Sequence, residues 1–126
     1  MSAITITNAG LDLLRSGVGG NDNPKITYVA VGTSNTAPTV NDTKLGSEAF
    51  RKKISSYTNG ASHGEILVNG YLNANDAVGV NIQEVGFFGG NSATSAANSG
   101  ILVARGLFSH TKLNTEGIPL QMDLTI

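Results

Sequence analysis

Cysteine and tryptophan are missing from this chain, only two histidines are present, and charged residues make up just 13% of its 126 positions. Without cysteine there is no disulfide framework, no thiolate metal site and no cysteine nucleophile, and the redox compartment is left open. The small complement of charge, with a formal net value of -1, excludes the electrostatic footprint that a polyanion needs, so no nucleic-acid partner is expected. Apolar runs never approach membrane-spanning length, and the opening MSAITITNAG lacks the basic start and continuous apolar stretch of a signal peptide. The expectation is a protein made in the cytoplasm, with no membrane partner.

What remains is 40% apolar residues and 16 glycines, enough for one core in a domain with a radius of gyration of roughly 14 Å. We read residues 1–126 as a single domain whose surface relies on Asn, Ser, Thr and Gly rather than on charge. Residues 3–6 alternate weakly. Thr7 or Asn8 can cap a helix over Ala9 to Ser16, ended by Gly17, Gly19 and Gly20. Leu11, Leu14 and Val18 form an apolar stripe on it; packing on the chain's own sheet is the ordinary reading of such a stripe, and a partner interface is the alternative.

Strand patterns follow at Ile26 to Val31, Phe50 to Tyr57, Glu65 to Leu72, 81–90, Ile101 to Phe108 and Ile118 to Ile126. Lys52 and Lys53 put charge on both faces of the second of these, as an edge strand does to discourage pairing. Asn69-Gly70 is a hairpin signal, but cutting there leaves pieces too short to pair, so the strand is kept whole. The stretches 32–48 and 89–100 read as long polar loops. The fold class is therefore mainly β with an N-terminal helix (α+β): an antiparallel sheet or sandwich.

Catalytic signatures are lacking. His63 and His110 have no Ser, Asp or Glu placed to complete a motif, and no nucleophile elbow, phosphate loop or zinc-helix pattern occurs. A small hydrolase would have to depend on one of these two histidines, and we expect no enzyme and no cofactor. The pairs Asn21-Asp22, Asn41-Asp42 and Asn75-Asp76 could offer oxygen ligands to calcium, but their spacing fits no calcium loop and suits turn formation better. Arg51-Lys52-Lys53 could meet an acidic partner or simply solvate a strand edge.

One residue stands out. In NIQEVGFFGG, residues 81–90, both faces of the strand carry large apolar groups, with Ile82, Glu84, Gly86 and Phe88 on one and Gln83, Val85 and Phe87 on the other. A lone carboxylate there needs a partner, because an unpaired buried charge costs several kcal/mol, to order of magnitude, or takes up a proton. A symmetric hairpin with the following strand sets Glu84 opposite Arg105, Gly86 opposite Val103, Phe88 opposite Ile101 and Phe87 opposite Leu102. Arg51 is the second choice of partner. The expected role is architectural: Glu84 and Arg105 pin strand register.

Four stretches in order, ITNAGLDLL, ITYVAVGTS, LGSEAFRKKISS and NIQEVGFFGGN with GILVARG, carry a resemblance to the N-terminal domain of bacteriophage tail fibre proteins of the tail-collar fibre type. That family shows a helix opening T-N-x-G, a strand ending in V-G or L-G, an N-E-x-[FY]-R-like segment and an I-x-E-[VI]-G-[LF]-F signature, spread here from Ile6 to about Gly106. The resemblance implies a virion tail component, whether attachment domain, fibre adaptor or baseplate protein, that links a fibre or receptor-binding protein to the tail baseplate, usually as a homotrimer. The alternative function is a binding module whose loops at 32–48 and 89–100 take a host-surface glycan.

Overall fold

The structure, a computed structural model, describes residues 4–126; Ala3, where the first weak alternation was expected to begin, lies outside them. In chain order the elements are β1 (Ile4–Ile6), α1 (Asn8–Val18), β2 (Ile26–Gly32), β3 (Glu48–Lys53), β4 (Ser56–Asn59), β5 (Glu65–Leu72), β6 (Asn81–Gly89), β7 (Ile101–Thr111) and β8 (Ile118–Thr125). The fold is mainly β with one N-terminal helix, and the strand pairs are antiparallel. They form two sheets, one of five strands in the order β1-β7-β6-β2-β3 and one of three in the order β4-β5-β8.

The main core lies between the sheets. Val29, Val31, Val85, Phe87, Val103 and Ala104 of the larger sheet meet Val68, Leu72, Ile118, Leu120, Met122 and Leu124 of the smaller. β8 alternates buried and exposed along its whole length, as the period-2 pattern of its sequence requires. Gly70 keeps β5 continuous through Asn69-Gly70: its Cα faces the other sheet so closely that a Cβ would sit 2.7 Å from Val29 Cγ1. A second, smaller cluster of Ala30, Leu45, Phe88 and Leu102 covers the opposite face of the larger sheet. That is why β6 carries bulky apolar groups on both sides.

The segment Phe50 to Tyr57 does not form the one strand its pattern suggests. The Ile54 amide donates to Thr27 O at 2.9 Å, whereas the next amide, Ser55, donates to Asn69 O at 2.8 Å. Successive residues thus bond to different sheets, and the chain turns a corner between β3 and β4. β3 lies at the edge of its sheet, as its lysines led us to expect. At the other end of the sheet β7 runs three residues past Phe108 and takes in His110, which pairs with Ile82.

Thr7 caps α1 by accepting from Gly10 N at 2.9 Å, and the chain leaves the helix through Gly20 with φ +77°, a conformation that glycine adopts without strain. Of the stripe Leu11, Leu14, Val18, Leu14 is half-buried beside Ile26, Ile66, Val68 and Leu124, but Leu11 and Val18 do not pack on the chain's own sheet, contrary to the ordinary reading. Gly10 and Leu13 face inward instead, leaving Leu11 54% and Val18 94% exposed. The reason is a close approach: a Cβ on Gly10 would lie 2.7 Å from Val103 O, so the helix can rest on β7 only by its glycine face.

Candidate functional site

β-Bulges set up the polar architecture, one of them at Thr27 of β2, where Ile26 pairs with Gly89 and Tyr28 with Phe88, since each extra residue inverts the alternation of the strand that follows. Another is at Val103. Phe88 pairs with Leu102 but Phe87 pairs with Ala104, so Val103 and Ala104 both enter the main core. The bulge carbonyls are taken up by the helix start, where Thr7 N donates to Val103 O at 3.0 Å and the Thr7 hydroxyl donates to Leu102 O. Thr7-Asn8-Ala9-Gly10 is in effect a docking element for this bulge.

The symmetric hairpin is already one residue off at its loop end, where Gly89 and not Phe88 stands opposite Ile101, and the bulge adds a second residue. Arg105 stands opposite Gly86, and Glu84 stands opposite Leu107, not opposite Arg105. The two charged residues meet diagonally on one face, with Arg105 Nε donating to Glu84 Oε1 at 2.9 Å, and both side chains are buried, at 3% and 0% exposure. Ile82 likewise leaves the set assigned from alternation and joins Val85 and Phe87 in the main core, a second register shift lying between it and Glu84.

Arg105 is only one of four donors to this carboxylate. Gly46 N donates to Oε1 at 2.8 Å, and Ser47 N at 2.8 Å and Ser34 N at 3.1 Å donate to Oε2. These amides belong to the two ends of the 32–48 stretch, which Thr33 N also ties together through Ser47 O at 3.0 Å. Gly32, the β2 residue opposite Glu84, makes the approach possible, because a Cβ there would be 2.4 Å from Glu84 Oε2. Leu45 is thereby held, buried, over Phe88 and Leu102. The stretch is a braced lid on the sheet and not a free loop.

Arg105 Nη1 also reaches Asp42 Oδ2 at 3.3 Å. Burial works against ionisation of Asp42, but the Thr39 amide and hydroxyl together with Arg105 outweigh it and lower its pKa below the usual carboxylate value. All three Asn-Asp pairs serve turns: Asp22 accepts from Asn23 N, Asp42 from Thr39 N and Asp76 from Asn73 N.

Arg51, the second choice for Glu84, belongs to a different brace. β3 carries a bulge at Ala49, since Val31 pairs with Phe50 and Gly32 with Glu48. The bulge brings Glu48 and Arg51 to one face, where Arg51 Nε and Nη2 donate to the two oxygens of Glu48, each at 2.8 Å. The guanidinium lies 4.4 Å from the centroid of Phe88. Its Nη1 holds Thr94 O and Ser99 O, both at 3.0 Å, and Glu48 Oε1 accepts from Asn98 N at 3.2 Å. The 89–100 loop is therefore fastened by a buried ion pair that simple alternation conceals: residues three apart on a regular strand face opposite ways.

No protein-family model, curated protein or solved structure matches this chain. Function has to be argued from the residues. His63 is exposed in the 60–64 turn, and the His110 ring bonds to Glu116 Oε1 and Oε2, both at 2.9 Å. Among the described residues no group of three or more His, Asp or Glu side chains is placed to hold a metal ion, and no helix is long and apolar enough to cross a membrane. At the opposite end of the sheets, the buried Lys112 donates to Ala74 O at 3.2 Å and Leu113 O at 2.7 Å. There too a buried cation holds loops together.

Outside these braces, Leu11, Leu14 and Val18 form one wall of an apolar groove of about 630 Å³ whose other wall is Leu124 to Ile126. β8, which ends in that wall, is an edge strand of its sheet. Ile126 is 75% exposed.

Proposed function

We propose that this chain is a non-enzymatic structural component of a phage tail, an attachment domain, fibre adaptor or baseplate protein that links a fibre or receptor-binding protein to the baseplate and works as a homotrimer. The observation that carries the reading is the convergence of the shared stretches. T-N-A-G docks the helix on the Val103 bulge, while V-G-T-S, L-G-S-E and Q-E-V-G meet at the Glu84 carboxylate. The pattern that resembles tail-collar fibre domains is thus one connected framework, with its buried charges spent on bracing loops.

A framework of that kind gives a rigid body with a preset surface, which suits an assembly part better than a catalyst. Neighbouring copies cover the groove beside Leu11, Leu14 and Val18, since a strip with exposed apolar side chains and little charge is an interaction surface in a polar protein. Light scattering of the chain over a concentration series, with Val18→Glu and Leu11→Glu alongside, tests this. A concentration-dependent trimer that both substitutions reduce to monomer, with unchanged thermal stability, is expected. A monomer at every concentration, together with no capture of baseplate or fibre proteins in a pull-down, overturns the reading.

A further inference from the structure

At the end of the sheets away from the α1 groove, a single imidazole starts a chain of contacts that runs through two connections. His110 stands near the end of β7, opposite Ile82 of β6, and its ring stacks on Phe108 with centroids 6.2 Å apart. So oriented, Nε2 meets both oxygens of Glu116, each at 2.9 Å. Glu116 also accepts from Leu113 N at 2.9 Å, which closes the 112–117 connection on itself.

Lys112 carries the tie onward. Its buried ammonium donates to Leu113 O at 2.7 Å and to Ala74 O, in the 73–79 connection, at 3.2 Å. Its backbone does the same, with Lys112 N donating to Val80 O at 3.0 Å and Gly79 N donating to Lys112 O at 2.9 Å. The 73–79 connection depends on such ties, because Ala77 is held at φ +52°, a left-handed conformation that a residue with a Cβ adopts only where its surroundings impose it. Leu113 and Val78, 56% and 50% exposed, ride on the two connections.

Few charged groups surround the imidazole. Glu116 faces it from the 112–117 connection, and Lys112 acts on Glu116 from the base of that connection; Asp76, paired with Lys52 at 2.6 Å, lies beyond Lys112. The neighbouring stretch of β6 offers Asn81, Ile82 and Gln83, none of which titrates. The pKa of Glu116 is lowered, first by the His110 bond and then by the Leu113 amide, so this carboxylate is ionised throughout the range in which histidine changes charge.

We infer that His110 and Glu116 form a latch that tightens when the imidazole takes up a proton, holding the 112–117 connection, and through Lys112 the 73–79 connection, more rigidly in mildly acidic than in mildly alkaline solution. A protonated imidazole gives the carboxylate a charge-assisted hydrogen bond, whereas a neutral one gives it a bond about half as strong. The side chains are 40% and 28% exposed, so the proton exchanges freely with solvent and the effect is local. Acidity thereby sets how firmly Leu113 and Val78 are presented at this end of the molecule. The latch stands apart from the Leu11 and Val18 groove and does not depend on the assembly reading.

The test is amide hydrogen exchange of the full chain at about pH 5.5 and about pH 8, with each rate divided by that of an unstructured chain at the same pH. Protection of the Leu113 amide should fall roughly fivefold between the two, as the change from a charged to a neutral bond implies, and that of Gly79 and Lys112 roughly twofold. His110→Gln and Glu116→Gln should each abolish the difference and hold Leu113 near its alkaline protection at both pH values. His63→Gln, in the 60–64 turn, should leave the difference intact, which separates the latch from any general effect of histidine charge. Equal protection of Leu113 at the two pH values in the parent chain, or a difference that survives His110→Gln, would overturn the latch. Loss of the difference in His63→Gln would overturn its assignment to His110.

Discussion

Replacing Glu84 by glutamine conserves shape and removes one acceptor atom, and the hydrogen bonds around it set the size of the effect. Oε1 receives Gly46 N and Arg105 Nε, and Oε2 receives Ser47 N and Ser34 N. Whichever way the new amide is turned, its NH2 faces two donors. Each buried donor left unsatisfied costs about 1–3 kcal/mol, and Arg105 loses its fully buried counter-charge, so a total of about 4–6 kcal/mol is expected. That is a large part of the 5–15 kcal/mol or so that holds a domain folded.

Arg105→Met removes just one of the four donors and leaves the carboxylate with its three amides, so it should cost about 2–3 kcal/mol. The double variant should cost about 1–2 kcal/mol less than the sum, because the two changes share one bond. Urea denaturation reads this directly: with a slope of about 2 kcal/mol per molar, Glu84→Gln should lower the midpoint by roughly 2–3 M. Amide exchange at Gly46 and Ser47 should accelerate in parallel. If Glu84→Gln costs less than about 1 kcal/mol, or less than Arg105→Met, the carboxylate is not the anchor of the 32–48 stretch and the reasoning fails.

Gly10→Ala should destabilise the protein by about 1–3 kcal/mol, because overpacking against the Val103 backbone outweighs the helix preference of alanine; thermal denaturation checks it, and a rise in melting temperature would contradict the close approach. Arg51→Met leaves Glu48 buried and unpaired, at a cost of about 3–5 kcal/mol, and should open the 89–100 loop to limited proteolysis at sites that are resistant in the parent chain. Asp42 and Asp76 both have lowered pKa values: burial opposes their ionisation, but for Asp42 Thr39 and Arg105, and for Asp76 Lys52 and the Asn73 amide, more than compensate. Their contribution is complete above the ordinary carboxylate pKa and is lost as pH falls through the lower folded values. The melting temperature should therefore hold from neutrality to about pH 5, then fall, and less steeply in Asp42→Asn.

The sequence by itself determined the elements and the problem they pose. Period-2 alternation located β2, β5, β6 and β8 because their side chains must alternate between core and solvent or between two apolar layers. Thr7 and the closing glycines framed the helix through the needs of its unpaired amides and carbonyls. The apolar setting of Glu84 showed that a partner must exist, and Arg105 could be named because charges are few. Tertiary structure decided the rest. An inserted bulge residue looks like any other in a sequence, so Thr27, Ala49 and Val103 reversed faces unseen, shifting the β6–β7 register and joining Glu48 to Arg51. The stripe on α1 could not reveal which side would dock, because that depended on how near Gly10 could come to a backbone far along the chain. Three of the four donors to Glu84 are backbone amides, a group that nearly every residue carries, and only the folded chain selects which of them converge.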